Sequence, residues 1–296
     1  MHVVEPQQFK QLKKRKSPRS SLKVVLLVLI LTGLGGSYWW FELRTPSSVE
    51  ISDKPTNNLS DSTQQTNTPQ KLNNSNRQLR QLSDTDFKQL FLSIGYPNVQ
   101  PISDSLPITG NEQADLRIRN MAEKRGYRRG SVPVASIQKT QEAGLMGDDL
   151  LQPLALDAWQ AMRDTAKRES IPLKLNSAYR SVDYQRNLFL NRLYDRGATI
   201  SKIAAGQSDG AVVGTLVITA PPGYSRHHSG YTIDLWCEDG SLSFVASSCF
   251  TWIKNNNYEK AKIHGWIPSY PEEAEYQGPE PEAWEYVWVG VEVLYQ

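Results

Sequence analysis

Histidine and cysteine are scarce in this chain, with four of the first and two of the second among 296 residues. No glycine-rich turn is suited to cradle a phosphate, and no histidine stands in a pattern that suggests a Ser-His-Asp triad. Nucleotide chemistry and serine hydrolysis therefore find no support, and no internal repeat is visible. The main body also lacks a basic surplus. Residues 1–23 hold seven Lys/Arg and one acid, whereas the remainder holds 26 basic and 30 acidic residues. The formal net charge of +2 thus belongs to the tail, and a nucleic-acid partner is not expected for the rest.

After the basic tail (1–23) comes an uncharged apolar run, Val24–Phe41, flanked by Lys/Arg before it and closed by Tyr38-Trp39-Trp40. Its length is close to the roughly 20 residues of a bilayer-spanning helix, and interfacial aromatics fit its far end. The expectation is an uncleaved signal anchor at 24–41 with the bulk of the chain on the extracytoplasmic side, periplasm or cell wall. A cleaved signal peptide, cut near Gly35-Gly36-Ser37, is the rival. Residues 42–82 are rich in Ser, Thr, Asn, Gln and Pro and read as a flexible tether. A folded domain is expected over 83–296.

Within that domain several elements have periodic signatures. "SDTDFKQLFLSIG" offers an N-cap at Ser83 ahead of Phe87, Leu90 and Leu92. From Pro153, Ala155, Trp159, Met162 and Ala166 recur at helical spacing and form a core stripe. Leu173, Leu175 and Ser177 alternate with Lys174 and Asn176 as a strand, which runs into Tyr179-Arg180-Ser181. Ser181 is placed to cap a second helix ending at Gly197, which sets Arg180 and Gln185 at a strand–helix junction. Near the C-terminus, the alternation from Tyr286 to Val293 predicts a last strand.

Two of the four histidines sit side by side in "SRHHSGYTIDL", where Asp234 interrupts an apolar run. A carboxylate in such a strand is costly to bury unless a cation or hydrogen bonds hold it. Glu282 and Glu285 lie three apart, so in a straight strand they would point to opposite faces. Their convergence on one site requires a bend near Ala283-Trp284. Taken singly, they read as solvated surface acids. Cys237 and Cys249 read as either a disulfide or inert thiols, not as nucleophiles, given the extracytoplasmic expectation.

In combination, "SAYRS" with Gln185, "SRHHSGYTIDL" and "EAWEYVWVG" resemble the VanY-like D-alanyl-D-alanine carboxypeptidases, the zinc D,D-peptidases of bacterial cell walls. The resemblance covers roughly Leu150 to Gly290; residues 83–149 show none. It implies an α+β domain with a small central antiparallel sheet, flanking helices and a metal site. By the same resemblance, His227 and Asp234 match metal ligands, Glu282 the general base and Arg180 the cation that stabilises the oxyanion or substrate. Gln185, Ser225 and Tyr179 match polar groups of the substrate pocket, and His228 falls at a variable position. The stretch 196–219 lies between motifs and is a candidate to shape the pocket.

One departure matters. The family closes on Glu-x-Trp-His, and this chain has Glu285 where that histidine would stand. A glutamate can ligate zinc through oxygen, but two carboxylates with one imidazole cancel the ion's charge. That should weaken carbonyl polarisation, and a more oxygen-rich set moves preference from zinc towards manganese. Three readings are open: an active enzyme with Glu285 as third ligand, an impaired relative that binds cell-wall peptides, or His264 as the missing ligand. The expectation is a monomeric, membrane-anchored, zinc-dependent D,D-carboxypeptidase acting on peptidoglycan stem peptides, with another peptidoglycan endopeptidase on the same fold as a further alternative.

Overall fold

The computed structural model of the chain describes residues 77–142 and 148–296. The expected anchor at 24–41, the basic tail and residues 42–76 of the tether lie outside the described residues. Among the described residues, no helix is long and apolar enough to cross a membrane.

The centre is a four-stranded antiparallel sheet in the order β5-β6-β8-β7, formed by β5 (Leu173–Ser177), β6 (Thr232–Cys237), β8 (Glu282–Trp288) and β7 (Trp266–Tyr270). Two small antiparallel pairs flank it: β1 (Val99–Pro101) with β2 (Ser131–Pro133), and β3 (Gln138–Lys139) with β4 (Leu150–Leu151). The mixed α/β class and the antiparallel central sheet agree with the sequence reading.

Periodic segments fold as their patterns dictate. α1 (Asp84–Ser93) starts at a capping box, in which the Ser83 hydroxyl accepts from the Asp86 N–H and Asp86 accepts from the Ser83 N–H. α3 (Pro153–Arg168) buries Ala155, Trp159, Met162 and Ala166 in the main core. β5 takes the predicted Leu173–Ser177 span, and Ser181 caps α4 (Val182–Asp195) by accepting from the Tyr184 N–H. A second core joins α4 to α2 (Glu112–Lys124), α5 (Ile200–Ala204) and α6 (Asp209–Leu216) around Ile118, Phe189, Ile203 and Leu216.

A third core lies under α1, where Leu82 and Phe87 pack with Ile267, Val287, Val289 and Leu294. Paired structure begins upstream of Ser83: Leu79 bridges Tyr295, and the Arg80 N–H donates to Leu294 O at 2.9 Å. α7 (Ser248–Lys262) is interrupted at Asn255–Tyr258, where Asn256, Asn257 and Tyr258 adopt left-handed backbone. The Asn257 amide there both accepts from the Leu82 N–H and donates to Leu82 O, so the break serves to grip the incoming chain. Cys237 and Cys249 form a disulfide from the end of β6 to the start of α7, which settles the pairing that the sequence leaves open.

The last strand departs from its prediction. It spans Glu282–Trp288, starting earlier and ending sooner than the 286–293 alternation suggests. Gly290, at φ +88°, breaks the extended backbone, and Glu292–Leu294 forms a 3-10 turn.

Candidate metal centre

Two sheet irregularities set the site. Leu175 faces Leu235 but Ser177 faces Asp234, so β5 carries an extra residue at Asn176. Pro268 faces Tyr286 but Tyr270 faces Glu282, so two extra residues are accommodated in β8. That bulge supplies the bend which Glu282 and Glu285 need in order to converge, and the two residues line one cavity.

Between the bulges, Asp234 on β6 stands directly across from Glu285 on β8. Both are 4% exposed. Two carboxylates in facing positions of a buried ladder repel unless something positive lies between them. His227, from the 3-10 turn Arg226–Ser229, approaches that gap. Its Nδ1 meets the Ala178 carbonyl at 2.6 Å and must donate there, which leaves Nε2 as a lone pair. Nε2 stands 3.3 Å from an oxygen of Asp234 and 3.3 Å from one of Glu285.

His227 Nε2 and Asp234 Oδ1 are buried and without a hydrogen-bond partner. The three ligand atoms lie within 4.8 Å of one another. One imidazole nitrogen and two carboxylate oxygens, aimed at a common point with an orphaned lone pair among them, fit a divalent cation of the zinc type. Desolvation and Arg180 push the His227 pKa down, yet Asp234 and Glu285 outweigh them and raise it. This again marks a place that demands positive charge.

The neighbouring carboxyls differ sharply. Burial, then the charges of Glu285 and Asp234, hold Glu282 well above the usual carboxylate range. Burial also opposes ionisation of Glu285, but His227, the Ser269 hydroxyl and Arg226 prevail and bring it down to about 2. Two adjacent carboxyls driven apart in this way suit different roles, one a ligand and one a proton carrier.

The other expected residues divide. Arg180, Gln185 and Ser225 line the cavity beside the centre, with Asp234, Glu282 and Glu285. Tyr179 is not among the lining residues; its ring is half-buried near Asp148. Arg180 is committed in part elsewhere, because its guanidinium donates to Asp234 Oδ2 and, at 2.9 Å, to Ser177 Oγ. It braces the outer oxygen of Asp234 while Oδ1 faces His227. His264 stands apart from the cluster: its Nε2 bonds with Thr165 Oγ1 at 3.1 Å, beside the α3 terminus, and the clustered ligating groups among the described residues do not include it.

Several residues in the site carry no sequence signal. His228, an apparent bystander, accepts from the Gly223 N–H at Nε2 and donates from Nδ1 to Arg180 O at 2.6 Å. It thereby ties the loop ahead of the motif to the arginine. Arg192 on α4 lines the cavity with its guanidinium on Ile218 O and Thr219 Oγ1, and makes no ion pair among the described residues. Burial and then Arg180 push its pKa down to about 10. Gln185 donates to Ala220 O at 2.7 Å, while its buried Oε1 has no partner. Thr219 and Ile218 come from the stretch 196–219, the candidate for shaping the pocket. The cavity offers only about 40 Å³, and a larger hollow of about 310 Å³, bordered by Phe250, Tyr258 and Pro271, shares Tyr270 and Glu282 with it.

Parts of this chain are similar to known proteins. Residues 148–291 match the family described as VanY: D-alanyl-D-alanine carboxypeptidase. YodJ of Bacillus subtilis (strain 168), a protein assigned as a carboxypeptidase, is 29% identical over 125 residues, covering 41% of this chain and 39% of YodJ. The chain thus spans well under half the length of that relative. A vancomycin-resistance D,D-pentapeptidase VanY solved in complex with Zn(II) is 21% identical, with TM-score 0.42 over 58% of this chain and 90% of that one. The LdcB LD-carboxypeptidase is 24% identical, with TM-score 0.41 over 53% of this chain and 67% of the other. Over residues 148–291 the chain is VanY-like, similar to the D-alanyl-D-alanine carboxypeptidases.

Proposed function

We propose that this protein is a zinc-dependent D,D-carboxypeptidase that removes the last residue of peptidoglycan stem peptides, held at the membrane by residues 24–41 with its catalytic domain outside. The observation that carries this reading is the convergence of His227, Asp234 and Glu285 in one cavity with Glu282. A metal bound by the three ligands supplies polarisation of the scissile carbonyl and a water of lowered pKa. Zinc is the expected ion, and the two carboxylate ligands keep manganese as an alternative.

The chain's own groups then have separable tasks. Glu282, half-buried in the same cavity as Glu285, would in its ionised form, favoured once a cation sits among the ligands, accept the water's proton and return it to the leaving amine. Arg180 braces Asp234 and lends positive charge to the cavity where the carbonyl oxygen becomes negative. Arg192, the cavity cation without an ion pair among the described residues, meets the substrate's terminal carboxylate, and the unpartnered Gln185 Oε1 accepts an N–H from the peptide. The small cavity suits one short terminal residue, with the rest of the peptide in the wider hollow past Tyr270.

A direct test uses two peptides that end in D-Ala-D-Ala, one a free acid and one an amide. The zinc-loaded protein should release D-alanine from the acid and leave the amide nearly intact. Equal cleavage of both would favour an endopeptidase, and no cleavage by fully loaded protein would favour the impaired, peptide-binding relative.

A further inference from the structure

Glu285 occupies a built cradle. Its Oε1 accepts from Ser269 Oγ at 2.6 Å, and its Oε2 faces His227. Ser269, on β7, is 1% exposed. Its hydroxyl in turn accepts from Arg226 Nη1 at 3.0 Å, and the same nitrogen donates to the Ser269 carbonyl. The Arg226 guanidinium is clamped between two rings, 3.8 Å from the Phe91 centroid and 3.9 Å from that of Tyr270. Phe91 belongs to α1, which lies upstream of the family-matched segment 148–291.

Each link of this chain has a direction. Because Arg226 donates to Ser269, the serine's own proton is turned towards position 285. A group at 285 that accepts a hydrogen bond is satisfied by it; an imidazole N–H is not. The bond also occupies one carboxylate oxygen and leaves the other for a cation, so the glutamate is fixed in one rotamer as a single-oxygen donor. Decay of a third ligand would not of itself provide a buried serine, an oriented arginine and two rings to hold the replacement.

We propose that Arg226 and Ser269 are positioning residues that make Glu285 a metal ligand, and that Phe91 of the upstream helix completes the support. This rests on the metal-centre reading of His227, Asp234 and Glu285.

The test is zinc affinity of the full chain, measured by competition with a chromogenic chelator, so that it does not depend on peptide cleavage. Ser269→Ala should weaken zinc binding by about ten- to a hundredfold, the range typical of lost outer-sphere hydrogen bonds. Arg226→Met should do likewise, and Phe91→Ala should add little once Arg226 is gone. The deciding arm repeats Ser269→Ala in a Glu285→His background, where the loss should shrink to a few-fold or vanish. Equal loss in both backgrounds would show a general structural role and overturn the proposal, as would unchanged affinity in Ser269→Ala or a wild type that holds no zinc. Circular dichroism of Ser269→Ala, the mildest change, guards against unfolding as the cause. A wild type that binds zinc through the cradle yet leaves the peptide intact would contradict the hydrolase reading and not this one.

Discussion

At the scale of residues, the proposed ligands and the proposed proton carrier should have separable roles. His227→Ala and Asp234→Ala should each lose bound zinc, because each removes one of only three ligand atoms. Glu282→Gln should keep zinc and lose at least about a hundredfold in turnover, since a general base commonly supplies about 10² to 10⁴. Metal analysis beside the peptide assay distinguishes the two outcomes. Arg192→Gln should raise KM for the free-acid peptide more than it lowers kcat, because the lost contact is to a carboxylate present before and after the carbonyl is attacked. His227 and Asp234 draw notice in the sequence because paired histidines and a carboxylate inside an apolar run demand a reason, whereas Glu282 by itself reads as a surface acid and is singled out only by the family resemblance. Ser269, Arg226 and Arg192 are not. Their partners are 16, 43 and 26 residues away along the chain, and a serine or arginine by itself carries no sign of what it will touch.

Elements show the same divide between local and distant causes. α3, β5 and α4 appear where periodicity and caps place them, since an amphipathic stripe and an N-cap hydroxyl are properties of a short window. The limits of β8 escape that window because its bulge arises from pairing with β7, and alternation in one strand says nothing about the neighbour's register. That bulge is what brings two acids three apart to one cavity, as the proposed ligand and the proposed base. The disulfide, likewise, depends on how β6 meets α7. Closing a loop across a separation of 12 residues should contribute about 3 kcal/mol by the chain-entropy argument. Reduction, or Cys237→Ser with Cys249→Ser, should lower the thermal midpoint by several degrees while leaving zinc content unchanged. An unaltered midpoint would show the bond to be absent or without mechanical effect.

For the whole molecule, the upstream segment is part of the fold. Phe87 is fully buried against β7 and β8, and Phe91 reaches the arginine that supports Glu285. Lys262, with no exposed surface, spends its ammonium on Arg80 O and Asn257 Oδ1, each at 2.7 Å. A fragment from residue 77 should therefore be more stable than one from 83, which leaves that buried cation short of an acceptor. A fragment from 148, the family-matched segment alone, should fail to give a cooperative melt. Denaturant curves of the three fragments check the order, and equal midpoints for the first two would refute the role given to Arg80. The sequence resemblance stops near Leu150, so the dependence of the site on α1 is visible only once the two are brought together in space.

The metal centre stands or falls with Glu285 as a ligand, and elemental analysis of the purified wild type and of Glu285→Ala settles it. About one equivalent of zinc per chain is predicted in the wild type, as a single cluster of three ligands among the described residues implies, and little in Glu285→Ala. Full occupancy in Glu285→Ala, or none in the wild type, would contradict it.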